Sequence, residues 1–164
     1  MPRRDLKQLS DDAYTWIFGI NPSLDEPKEA KLVQRVDAFL DQWAAHGNPI
    51  DSGRDVIEGT FLVIAADSRS ERSGCSIDRL FGTLRQLEQE LGVRILDANR
   101  IFFRHGDGRA DSMTRGEFRE KGDAHTIVFD TTAETLGQIR NGGWERRAEL
   151  SWHRDLLTRP VNVR

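Results

Sequence analysis

Cysteine is nearly missing from this chain. Cys75 is the only thiol among 164 residues, which excludes an internal disulfide and every zinc or iron–sulfur site built on several thiolates. Long apolar runs are missing too. The longest, residues 61–66, falls far short of the about 20 residues a helix needs to cross a bilayer. The first dozen residues are strongly polar and hold no apolar stretch of the kind a secretory leader requires, so the expected compartment is the cytoplasm. No sign of charge dominates: 24 basic and 27 acidic side chains are interleaved, for a net −3. Such a surface offers neither a basic face for nucleic acid nor a cationic helix for an anionic membrane, and neither is expected as a partner. Arg3-Arg4 and the basic residues from Arg154 onward read as solvated tails.

Phosphate-binding loops are absent despite 14 glycines. There is no Gly-x-x-x-x-Gly-Lys-Ser/Thr, and no Gly-x-Gly-x-x-Gly follows a strand; no cofactor is expected. What the chain does have is aromatic residues spread along its length, four Trp and eight Phe, within 37% hydrophobic content. A chain this long buries about two-thirds of its unfolded surface. One domain over 14–157 is expected, with a polar lead-in at 1–13 and a tail at 158–164.

Residues 14–20 are aromatic and β-branched, which predicts a strand ended by Asn21-Pro22. Ser23 and Glu26 have capping-box spacing, and Pro27 suits a first helical turn. Leu32, Val33, Val36, Phe39, Leu40 and Trp43 then form one helical face, closed by Gly47. After a loop at 48–53, residues 55–66 read as extended, with a bulge or turn at Glu58-Gly59. The continuously apolar 61–66 suits a central strand covered on both faces. A polar, mobile connection at 67–73 leads to a second helix over 77–91, with Ser76 as its N-cap and Gly92 at its end.

Beyond it the pattern turns β-like. Short strands are expected at 93–96, 100–104, 109–113 and 126–129, with a turn at 105–108, short helices near Phe118 and over 134–140, and a break at 141–143. Trp144 and Trp152 should wrap back over the core. The expected fold is α+β: one domain with a mixed or antiparallel sheet, two main helices on one face and a β-rich C-terminal part.

The most suggestive place for chemistry is Ser73-Gly74-Cys75-Ser76-Ile77-Asp78. A helix start leaves backbone N–H groups unbonded and carries partial positive charge, so it can hold an anion or a thiolate. Ser73, Gly74, Ser76 and Asp78 are the candidate ligand-binding residues there, and Cys75 the candidate nucleophile. The alternative is structural, with Ser76 capping the helix while Cys75 packs as a small hydrophobe. A nucleophilic cysteine wants a base. His46, placed by periodicity at the end of the first helix, reads either as that base or as a cap on the last carbonyls. His153 is the second candidate base, in a late segment that could fold over the Cys75 turn. His105 and His125 fall in a glycine turn and a polar loop and read as solvated. Asp67, at the carboxyl end of the apolar strand, is either a site carboxylate or a strand-terminating cap. Cys75, His46, His153 and Asp67 are suitable zinc ligands by type, but none of their spacings is a ligand pair, and no metal is expected.

The strings Trp16-Ile-Phe, Phe39-Leu-Asp-Gln-Trp43-Ala-Ala-His46-Gly47, Phe61-Leu-Val-Ile-Ala-Ala-Asp67, Ser73-Gly-Cys-Ser-Ile-Asp78 and Ser151-Trp-His153 resemble a small bacterial family whose members often carry the label "ABC transporter ATPase". The resemblance spans residues 14–157 and is most specific at Ser73–Asp78. It implies no activity, and the label conflicts with the missing phosphate loop. It does draw His46, Asp67, Cys75 and His153 into one set. Three functions follow as expectations. The chain binds a small anionic or polar ligand at the Cys75 turn, or it is a thiol-dependent enzyme with Cys75 as nucleophile and His46 or His153 as base, or it is a structural or interaction module acting as a homo-oligomer, such as a homodimer.

Overall fold

A 3-10 turn at Leu6–Gln8 leads into strand β1 (Tyr14–Gly19), the first long element of a computed structural model that describes residues 3–157. Helix α1 (Glu26–Asp41) follows, with Pro27 in its first turn. Its cap is Asp25, which accepts the Lys28 N–H at 2.9 Å. Ser23, expected in that role, shares a hydrogen bond with Thr60 Oγ1 at 2.7 Å instead. The helix also ends earlier than its apolar stripe suggests. It stops at Asp41, and the chain turns into a small hairpin, β2 (Ala44–Ala45) and β3 (Asn48–Pro49). Trp43 lies outside the helix yet is 1% exposed, with its indole N–H donated to the Ser76 carbonyl at 2.9 Å. Its burial reports closeness to the core, not helical continuation.

Two tight turns share one conformation. His46 and Gly47 (φ 51° and 80°) join β2 to β3, and Glu58 and Gly59 (φ 54° and 61°) join β4 (Ser52–Ile57) to β5 (Phe61–Ala66). Paired positive φ values match the right-handed twist of antiparallel strands, which is why glycine takes the second place. The extended stretch expected over 55–66 is thus a hairpin, and its first strand already starts inside the expected loop. The first sheet has the order β1-β5-β4, all antiparallel. Every residue of β5 is buried. Leu62, Ile64 and Ala66 face α1 and the next helix, α2 (Gly74–Leu91). Phe61 and Val63 face the other way.

That other face meets a second sheet, built from β6 (Arg100–Arg104), β7 (Ala110–Thr114), β8 (Ile127–Phe129) and β9 (Glu145–Arg147) in the order β7-β6-β8-β9. Helix α3 (Arg115–Lys121) follows β7, and α4 (Leu136–Arg140) precedes β9. Residues 93–96 form no strand; Arg94 makes a single bridge to Asn21. The Phe61 ring lies 5.3 Å from Phe102, 4.6 Å from Phe129 and 4.9 Å from Trp144, so aromatic contacts join the two sheets. Gly19 is required at this junction, because a Cβ there would come within 2.2 Å of the Phe102 ring. Trp144 does return to the core, at 6% exposure.

The architecture is α+β, with α1 and α2 on one face of the first sheet and the β-rich C-terminal part on the other. The named strands pair only antiparallel. No helix among the described residues is long and apolar enough to cross a membrane. The tail expected at 158–164 lies outside the described residues.

Candidate functional site

The start of α2 is built by a reciprocal pair of serines. Ser73 Oγ accepts the Ser76 N–H at 3.1 Å, and Ser76 Oγ accepts the Ser73 N–H at 3.0 Å. Ser73, in extended backbone, is therefore the cap, and Ser76 is the third helical residue. This corrects the expectation that Ser76 caps the helix. Both serines have the right chemistry, and only the direction of the entering chain decides between them. The shift moves Cys75 inside the first turn, where it is exposed; it is not packed as a small hydrophobe. The N–H groups of Gly74 and Cys75 have no acceptor in the helix, by their position, and none elsewhere among the described residues. The space above Gly74 is open, with nothing within 4 Å of where a Cβ would stand. Asp78 is exposed farther along the same helix.

Around this opening the first half of the chain converges. Trp43 holds the Ser76 carbonyl, and Arg79 donates to the Ala44 carbonyl. The Arg72 guanidinium sits 4.2 Å above the Tyr14 ring. Glu71 accepts from Asn48 Nδ2 at 3.1 Å and lies 3.8 Å from His46 Nε2. The β2–β3 hairpin tip is thus fastened to the segment that enters α2. His46 occupies the hairpin turn with 69% of its side chain exposed, so it does not cap the end of α1. It is the candidate base whose hairpin is tied to the Cys75 approach.

Asp67 has a local occupation. Its carboxylate accepts the Arg69 N–H at 2.8 Å and the Arg69 guanidinium at 3.1 and 2.9 Å. The Arg69 side chain and backbone together lower its pKa to about 2. It terminates β5 and closes the next turn, which Ser70 secures by accepting the Asp51 N–H. The connection at 67–73 is more firmly tied than its polarity suggests. Asp67, Asp51, Arg69 and Glu71 line an open cleft of about 440 Å³ beside the hairpin.

His153 lies elsewhere. It is 1% exposed, stacked on Trp152 at 4.0 Å and set edge-on to Phe118 of α3 at 6.1 Å. Its Nδ1 shares a hydrogen bond with Ser151 Oγ at 2.7 Å. Burial pushes its pKa down to about 4. The late segment packs against α3 on the second sheet, not over the Cys75 turn as one reading required. No hydrogen bond or ion pair among the described residues joins any two of Cys75, His46, His153 and Asp67. No group of three or more His, Cys, Asp or Glu side chains fit to hold a metal occurs among them either.

One pair escaped the sequence reading. His105 Nε2 lies 2.8 Å from Asp111 Oδ2, and the ring stands edge-on to Phe103 at 4.7 Å. The pair flanks the glycine turn between β6 and β7, so hairpin register offered a signal for it. Compared with family models, curated proteins and solved structures, the chain matches none of them.

Proposed function

We propose that this chain is a ligand-binding domain that takes a small anionic or polar ligand at the start of α2. The observation that carries the reading is the pair of unbonded N–H groups at Gly74 and Cys75 under open space, at the head of an 18-residue helix. Such a helix start directs N–H groups and a partial positive charge at whatever sits on it. The exposed Cys75 thiol also supports a second reading, thiol chemistry with His46 as base. We propose membership of the bacterial family that the strings at 14–157 resemble on those strings alone.

One experiment addresses both functional readings. Phosphate or sulfate at about ten times its Kd adds about 1.4 kcal/mol, which raises Tm by about 3–5 °C in a chain of this size. The same anion should slow alkylation of Cys75 by iodoacetamide, and Gly74→Asp, which sets a carboxylate at the helix start, should abolish both effects. An unchanged Tm across small anions, with unprotected alkylation, refutes the binding site. A Cys75 that alkylates no faster than free cysteine refutes thiol chemistry.

A further inference from the structure

A second cleft, of about 610 Å³, opens on the far sheet between the tip of the β6–β7 hairpin, the end of α3 and the loop entering β8. Its volume falls in the range that small-molecule sites occupy. Two properties of its walls identify an occupant. Phe103, Met113 and Ile127 line it with apolar side chains. His105, Lys121 and His125 line it as well, whereas Asp123 is the one carboxylate among the lining residues. Asp123 is already occupied, accepting the N–H groups of His125 and Thr126 at 2.8 and 3.0 Å. Arg104 also lines the cleft, but its guanidinium is committed to Glu58 and Glu145.

His105 is aimed by Asp111. The carboxylate holds Nε2 at 2.8 Å and leaves Nδ1 without a bonded partner among the described residues. Burial opposes the charge on Asp111, yet the His105 ring and the Ser112 N–H hold its pKa below the usual carboxylate value. Asp111 thereby fixes the ring at the mouth of the cleft, and Nδ1 is the ring nitrogen left for a ligand. Arg109, 3.9 Å from Asp111, shares that carboxylate from the hairpin side. Lys121 extends from the last turn of α3 with 68% of its side chain exposed, and its neighbour Glu117 is 3.9 Å away. His125 stands 3.7 Å from Glu149 and is 75% exposed. The basic rim is therefore loosely held, while the apolar floor is set by the sheet.

We propose that this cleft binds a small organic anion, with a carboxylate met by His105 and Lys121 and a short apolar body resting on Phe103, Met113 and Ile127. The site is independent of the one at α2.

Benzoate and inorganic phosphate are the probes, and amide and histidine-ring NMR of the full chain is the readout. Benzoate should shift the His105 and His125 ring resonances saturably, and phosphate, lacking an apolar body, should do so more weakly. Lys121→Ala, at an exposed position that the fold does not need, should weaken benzoate binding by up to about fivefold, the worth of one exposed ion pair. His105→Gln should weaken it similarly. Shifts confined to the Gly74 and Cys75 amides would assign benzoate to the α2 site and overturn this inference. So would the absence of saturable shifts, or affinities unaffected by both substitutions. Phosphate shifts equal to those of benzoate would overturn the role of the apolar floor.

Discussion

Replacing Arg104 with methionine should loosen the junction between the two sheets in a pH-dependent way. The Arg104 guanidinium meets Glu145 at 2.7 and 3.0 Å and Glu58 at 3.0 Å through both Nη atoms, and it lies 5.0 Å from the centre of the Phe129 ring. Glu58 sits in the turn of the first sheet and Glu145 on an edge strand of the second, so one side chain ties both. Hydrogen bonds to charged groups contribute about 1.5–3 kcal/mol when well shielded, and exposed ion pairs about 0.2–1 kcal/mol. Arg104 is 22% exposed while Glu58 and Glu145 are 43% and 34% exposed, which places the combined loss at about 2 kcal/mol. Methionine keeps the apolar stem but leaves two carboxylates facing each other.

The pH dependence has a definite sign. Arg104 holds the Glu58 pKa below its usual value, so this stabilisation is present above the unfolded glutamate pKa and is lost as pH falls through the lower folded value. Urea melts should show a midpoint lower by about 1 M at pH 7, for an m-value of about 2 kcal/mol/M. The gap between variant and wild type should narrow below about pH 4, where free glutamate protonates. A gap below about 0.5 kcal/mol at pH 7, within the scatter of neutral surface substitutions, would refute the reasoning. A gap of the same size at acid pH would refute it equally.

Two further outcomes concern the core. Gly19→Ala places a methyl group where the Phe102 ring stands, an overpacking that should cost about 1–3 kcal/mol; unfolding by urea measures it, and an unchanged midpoint would mean that the ring moves freely. His153, with its pKa down to about 4, stays neutral when folded while the unfolded chain takes up a proton near about pH 6.5. Stability should therefore fall as pH drops from about 6.5 to about 4, by at most about 3 kcal/mol, and lose no more to this group below that. His153→Phe should remove that part of the slope, and parallel pH profiles for variant and wild type would contradict it.

Features that a single turn or strand decides were legible in the sequence. The apolar stripe of α2 and its end at Gly92, the two-sided burial of β5 and the turn at Glu58-Gly59 each depend on neighbours a few residues away. The α+β class and the return of Trp144 to the core followed from the same patterns. Misplaced boundaries had local causes as well: Trp43 fits a helical stripe whether or not the helix reaches it, and two serines three residues apart both satisfy cap chemistry.

Tertiary structure alone decided the rest. Arg104 reaches partners 46 and 41 residues away, and no local pattern encodes those separations. His153 is buried because the late segment packs against α3 on the second sheet, whereas an isolated Ser-Trp-His segment would stay solvated. At the start of α2, sequence placed a thiol, a glycine and two serines together. The fold turned the thiol outward, fastened the His46 hairpin to the approaching chain and sent His153 elsewhere. Periodicity and capping act within one turn, while a site depends on which sheet faces stack, and that is settled by side chains far apart along the chain.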